Sequence, residues 1–180
     1  RQKDTNALNL PTSYDDSVET KFNYVKVGAV LNDDVFSVSC WYKPSYLGQN
    51  QYLIDNRDAA LEGWILRVGT GDDILFDIGD GTDLLALDTG VNVAVDTWVH
   101  ITVTYAGSAG VVATYINGAA TATSSANSTN VTTGSGDVGN MSVIGTQMHI
   151  GKIFSTYDSN GAQGEIDDVL YYNDVLTAPE

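Results

Sequence analysis

The chain has 180 residues, with 23 acidic against eight basic side chains and a formal charge of −15. A nucleic-acid binder must neutralise phosphates with Lys and Arg, so this balance argues against nucleic acid as a partner and equally against an anionic membrane surface. The length suits one all-β domain with its own core, so residues 1–180 are expected to form a single domain.

The acid is nearly all aspartate, nineteen Asp against four Glu, alongside eighteen Gly. That is the chemistry of turns and calcium loops rather than of helix surfaces. Acidity for solubility alone and acidity for calcium both stay open on composition. Cys40 is the single cysteine; it sits in an apolar alternating run, reads as a small core side chain, and leaves no intrachain disulfide to form. The sequence starts at Arg1 without methionine and has no apolar run as long as a signal or membrane span. A mature chain or a segment excised from a larger protein, with neighbouring domains missing, is therefore expected, without membrane insertion.

In chain order, residues 7–10 and 22–27 alternate apolar and polar side chains and predict two strands, separated by a loop with Pro11 and Asp15-Asp16. A stronger strand spans 35–43, with Phe36, Val38, Cys40 and Tyr42 on one face and Val35, Ser37, Ser39 and Trp41 on the other, ending at Pro44. Strands follow at 51–55, 63–68, 74–78 and 84–87. Residues 97–105 place Trp98, His100, Thr102 and Thr104 on one side and Val99, Ile101, Val103 and Tyr105 on the core side. Residues 111–116 lead into Asn117-Gly118, a dipeptide suited to a tight hairpin because both positions tolerate positive φ.

The stretch 119–140 is Ala-, Thr-, Ser-, Gly- and Asn-rich with almost no bulky residue, and reads as a long loop or a poorly packed ribbon. A strand region over 141–153, a glycine-bearing loop over 154–163 and a last strand from Gly164 to Tyr172 complete the chain. Strict alternation in that last strand sets Ile166, Asp168 and Leu170 on one face and Asp167, Val169 and Tyr171 on the other. About eleven short strands with turn residues between them predict an all-β antiparallel β-sandwich of jelly-roll type.

Four motifs in order carry a family resemblance: Tyr24-Val25-Lys26-Val27; Phe36 to Pro44; Trp98 to Tyr105 followed by Tyr115-Ile116-Asn117-Gly118; and Gly164 to Tyr172 followed by Leu176-Thr177. Together they resemble the laminin G-like, concanavalin A-type lectin/glucanase jelly roll and cover nearly the whole chain. Asn117 stands where that family usually has aspartate, and Leu170 where arginine is common. The resemblance implies a fold that serves sugar-binding modules, adhesion domains, virion parts and enzymes, so function rests on the site.

Glu165-Ile166-Asp167 also resembles the start of the laminarinase-type glycoside hydrolase signature, in which a nucleophile and an acid glutamate share one strand. A retaining pair needs carboxylates about 5 Å apart. The places where the second glutamate would fall hold Val169 and Leu170, so the chain is not expected to be an enzyme.

Antiparallel parity gathers the loops 28–34, 56–62, 79–83, 106–110 and 154–164 at one rim, provided that 141–153 is one strand. Calcium takes six to eight oxygens from such loops, and the expected metal ligands are Asp58, Asp80 and Asp83. The stretch Asp77 to Asp83 is the densest, with a Gly-Asp turn satisfied by its own backbone as the equal alternative. The family resemblance adds Asp167 or Asp168 as ligands of a structural calcium against the N-terminal segment, or as partners of a nearby Lys or Arg. For a sugar, an aromatic plate with Asn and Asp for the hydroxyls is needed, which singles out Tyr157, Asp158 and Asn160, with Asp33 on the same rim. Trp41, Trp64 and Trp98 read as core, and His100 and His149 as satisfied strand residues.

These readings converge on a non-catalytic extracellular module that binds a glycan or another cell-surface ligand, with calcium as its cofactor, as in a bacterial adhesin. The alternative is a structural virion domain.

Overall fold

The computed structural model describes residues 8–10, 24–27, 35–57, 62–81, 83–107, 111–125, 148–153 and 161–177. Twelve strands lie among them: β1 (Leu8–Leu10), β2 (Val25–Val27), β3 (Phe36–Pro44), β4 (Gln51–Asp55), β5 (Glu62–Val68), β6 (Asp73–Asp80), β7 (Leu84–Asn92), β8 (Val99–Tyr105), β9 (Val111–Ile116), β10 (Ala119–Ser125), β11 (Met148–Ile150) and β12 (Gly164–Tyr172). They form two six-stranded sheets, a first of order β1-β12-β3-β8-β9-β10 and a second of order β2-β11-β4-β5-β6-β7. Every pairing of named strands is antiparallel. The expected all-β sandwich is the observed architecture.

Alternation explains the core. Phe36, Val38, Cys40 and Tyr42 of β3 face inward and are fully buried, against Trp64, Leu66 and Val68 of β5 and Ile74, Phe76 and Ile78 of β6. Each such side chain contributes about 1.5–3 kcal/mol by leaving water. Trp64 lies among rings, with centroids 5.4 Å from Phe36, 6.1 Å from Phe76 and 6.5 Å from Tyr171. Burial in this apolar setting pushes the Cys40 thiol up to about 12.

Where strands β3, β4 and β12 meet, a buried polar clasp ties the rim together. The Tyr42 hydroxyl lies 2.7 Å from Gln51 Oε1 and 2.9 Å from the Gln163 carbonyl, while the Gln163 amide donates to the same Gln51 oxygen. Gln51 Nε2 donates to the Tyr46 carbonyl, so no polar group of this side chain is wasted in the interior. Gly164 follows directly. Its φ is +138°, and a Cβ there would sit 2.1 Å from the Lys43 carbonyl oxygen.

The structure departs from the sequence expectations in three places. First, residues 119–125 form β10, paired with β9 at the edge of the first sheet, where a long loop or a poorly packed ribbon is expected over 119–140. Its small side chains signal little burial, but the Asn117-Gly118 hairpin supplies a ready partner strand, and Thr114 Oγ1 and Thr121 Oγ1 lie 3.0 Å apart across the pair.

Second, that additional strand changes the parity of everything after it. The flanks of the stretch 154–160 meet the rim of Ser45 and Gln51, through Ser45 to Gln163 and Ala162 to Gly151 backbone bonds and a bridge between Tyr52 and Gly161. This is the rim opposite to the one expected.

Third, β12 is not a strictly alternating strand. The register with β3 slips between Asp167 and Leu170, and Asp168 takes φ +46°, a backbone region that Asp tolerates better than most residues. The slip keeps Ile166 and Tyr171 facing the core and sends Glu165, Asp167, Leu170 and Tyr172 outward. Asp167 and Leu170 thus share a face, contrary to the simple period-two reading.

Candidate functional site

On the outer face of the first sheet, three neighbouring strands bring aromatic and charged side chains together. Tyr42 of β3 and Val99 and Ile101 of β8 point inward, so Trp41, Lys43, Trp98 and His100 point outward. Trp41 and His100 are register partners with ring centroids 4.9 Å apart at 35°. Lys43 Nζ lies 5.7 Å from the centre of the Trp98 ring, within cation–π range. Lys43 also forms an ion pair with Glu165, its register partner on β12. Asp167 is the register partner of Trp41. Trp41, Trp98 and His100 are each partly exposed. The result is a shelf of two indoles and an imidazole edged by two carboxylates and one ammonium.

Local bonds hold the shelf in place. The Asn117 amide donates to the His100 carbonyl, and Asn117 Oδ1 accepts from the His100 amide, so the β9–β10 turn pins the histidine backbone on both sides. One oxygen of Asp167 accepts the Asp168 amide at 2.9 Å, which fixes the carboxylate beside the bulge.

The sequence reading of Trp41 and Trp98 as core is therefore corrected; of the three tryptophans only Trp64 is core. The signal was present: Trp41 alternates with Ser37 and Ser39, and Trp98 with Thr102 and Thr104, so both indoles fall on the polar faces of their strands.

The four expected metal ligands that are described, Asp80, Asp83, Asp167 and Asp168, are dispersed. Asp80 and Asp83 close their own turn, the Asp83 amide donating to Asp80 Oδ1 at 2.8 Å and the Asp80 amide to the Asp83 carbonyl at 3.2 Å. Asp167 and Asp168 stand on β12 of the other sheet. Calcium calls for six to eight converging oxygens, and among the described residues no three of His, Cys, Asp and Glu are gathered to hold a metal ion. The donor set in this part of the chain does not fit calcium. Asp33, Asp58, Tyr157, Asp158 and Asn160 lie outside the described residues.

The outer face of the second sheet carries a different arrangement. Asp55, fully buried, accepts Arg57 on both oxygens at 3.1 Å and also the Arg57 amide at 3.0 Å. Burial works against the Arg57 charge, but the Asp55 carboxylate outweighs it and raises the guanidinium pKa. Arg67 Nε donates to Asp77 at 2.7 Å. His149 is the register partner of both Asp55 and Lys26, and its ring lies 5.8 Å from Tyr24, over which Lys152 sits at 4.9 Å. Desolvation lowers the His149 pKa, against the pull of Asp55 and with the help of Lys26 and Lys152. These ion pairs are closed within the sheet, which makes them a structural network rather than an open site. Among the described residues no helix is long and apolar enough to cross a membrane.

Comparison with known proteins gives a consistent fold. The family model of the concanavalin A-like lectin/glucanases superfamily matches residues 19–180. A native heptameric SAP-like pentraxin from Limulus polyphemus superposes with TM-score 0.65 at 18% identity, over 94% of this chain and 76% of the pentraxin. A putative carbohydrate-binding protein from Bacteroides ovatus also gives 0.65 at 18%, over 95% of this chain but only 44% of that protein. The sialidase CBM40 of Ruminococcus gnavus, solved bound to α2,3-sialyllactose, gives 0.62 at 13%, over 81% of this chain and 79% of the module. At these identities the likeness establishes the fold alone. The curated proteins contain no match to the chain.

Proposed function

From the premise that the chain belongs to the concanavalin A-like lectin/glucanases superfamily, we propose that it is a non-catalytic binding module for a glycan on a cell surface. The observation that carries this reading is the shelf, where Trp41 and Trp98 stand outside the core next to Asp167 and Glu165. An indole offers a plate to the apolar face of a pyranose ring, and carboxylates at its edge accept from hydroxyls. The carbohydrate-binding description of the Bacteroides ovatus protein is of a kind with this proposal.

The non-catalytic part rests on β12. Leu170 stands on the outward face after Asp167, and Glu165 is engaged by Lys43, so the strand lacks the second glutamate that a laminarinase-type retaining pair requires. In its finer form the proposal is an extracellular, adhesin-like module occupying residues 1–180. Calcium dependence has compositional support only, the nineteen aspartates.

A glycan array tests the main reading: capture by the wild type is expected to be lost in both Trp41→Ala and Trp98→Ala, with the melting midpoint of each kept within a few degrees. Capture that survives both changes refutes the shelf. Thermal unfolding in millimolar calcium and in excess chelator tests the metal separately, because a ligand held only by the folded state raises the midpoint.

One observation favours the second reading, a virion contact domain. Leu170 and Tyr172, neighbours on the outward face of β12, are 46% and 40% exposed, and adjoining exposed apolar side chains are what a contact between chains would cover.

A further inference from the structure

We infer that the shelf takes an uncharged glycan and rejects sugars bearing a carboxylate or sulfate; this rests on the glycan-binding reading of the same site.

The argument is the placement of charge. Eight basic side chains serve the whole sequence, and five of them, Lys26, Lys43, Arg57, Arg67 and Lys152, are among the described residues. Four of those five gather about the second sheet: Arg57 on Asp55, Arg67 on Asp77, Lys26 opposite His149 and Lys152 over Tyr24. Of these five described residues, Lys43 alone stands at the shelf. Its ammonium is held on one side by the Glu165 carboxylate and on the other by the Trp98 ring, so its charge is already answered.

Asp167 adds a second carboxylate beside Trp41 with no cation among its hydrogen-bond partners. Among the described residues the shelf carries two carboxylates against one ammonium and is thus net negative, in a molecule of formal charge −15. An anionic sugar would meet repulsion both at contact and in the long-range field. A bidentate guanidinium, the side chain that recognises carboxylates and sulfates best, is lacking among the described shelf residues: both described arginines belong to the second sheet.

A neutral pyranose meets the opposite conditions. Its C–H face can lie on Trp41 or Trp98, and its hydroxyls can donate to Asp167 and Glu165, which when ionised accept and do not donate.

Matched probes decide the matter. Lactose and α2,3-sialyllactose share a core and differ by one charged sugar; cellobiose and cellobiouronic acid differ by one carboxylate. Titrations of the whole chain followed by tryptophan fluorescence and heteronuclear NMR are expected to show binding of at least one neutral probe, lost in Trp41→Ala. The acidic partner of that probe should bind at least tenfold more weakly, a gap of about 1.4 kcal/mol. Asp167→Asn should narrow the gap by strengthening the acidic probe, an effect that mere loss of packing would not produce.

An acidic probe that binds as tightly as its neutral partner, and through Trp41, overturns the inference and leaves the glycan reading standing. Absence of binding by every neutral and acidic probe on a broad array overturns the reading itself. Melting curves of each variant establish that it is folded.

Discussion

Trp41 and His100 face each other across β3 and β8 on the outside of the sandwich, their rings 4.9 Å apart. Two large rings in contact on a solvent-facing sheet surface have little reason to be there for the core, whose inward positions are already filled by Tyr42, Val99 and Ile101. Replacing His100 with alanine should therefore cost modest stability, about 1 kcal/mol from lost ring contact, while leaving Trp41 less well oriented. The check is a paired measurement: urea midpoint close to wild type and glycan affinity reduced several-fold.

Gly164→Ala should act in the opposite way. With φ +138° and the Lys43 carbonyl 2.1 Å from the place of a Cβ, the added methyl must push backbone aside at the junction of β12 with β3. A loss of at least about 2 kcal/mol is expected, read as a fall in the urea midpoint with an unchanged slope.

The Asp55–Arg57 pair offers a double-mutant test. Removing Arg57 leaves a fully buried carboxylate without its bidentate partner, and Arg57→Ala should destabilise by about 3 kcal/mol. The double change Asp55→Ala with Arg57→Ala should cost clearly less than the sum of the two single changes. Additivity within about 0.5 kcal/mol would show that the two side chains do not act as a unit.

His149 predicts a pH dependence whose sign is fixed by linkage. Its folded pKa is lowered, so between the unfolded value near 6.5 and the folded value the unfolded chain binds more protons. Stability must then fall as pH drops below about 6.5. Tyr24, Lys26, Asp55 and Lys152 are the groups that face it. His149→Gln should flatten the slope between pH 7 and 5, measured as urea midpoint against pH, and an unchanged slope would remove His149 as its source.

Cys40, fully buried with its thiol pushed up to about 12, should resist iodoacetamide at pH 8 in the folded protein and react readily in guanidinium chloride. The thiolate is the nucleophile, and burial suppresses both its formation and its access.

Most of the sandwich was legible because its inward faces follow a period of two with little interruption: β3, β5, β6 and β8 are readable from Phe36 to Tyr42, Trp64 to Val68, Ile74 to Ile78 and Val99 to Tyr105. β10 was not, because Ala, Thr and Ser report neither a face nor a partner; its existence depends on pairing with β9, which is tertiary context. The bulge in β12 was hidden for the same reason: nothing in Asp167-Asp168 declares which residue will be passed over in the ladder. The shelf was half visible. Its tryptophans fall on polar faces, but large aromatic side chains are core residues so often that the residue type outweighs the face.

The hydroxyl of Ser37 accepts the Leu176 amide at 2.8 Å and donates to the Asp174 carbonyl at 2.7 Å, strapping residues 174–176 over the beginning of β3. The shelf stands toward the other end of that strand, Trp41 four residues and Lys43 six residues from Ser37, the latter about 20 Å away. The strap thus closes one end of β3 while Lys43 and Trp98 stand at the other, so a change at Ser37 is expected to loosen residues 174–176 without displacing the indoles.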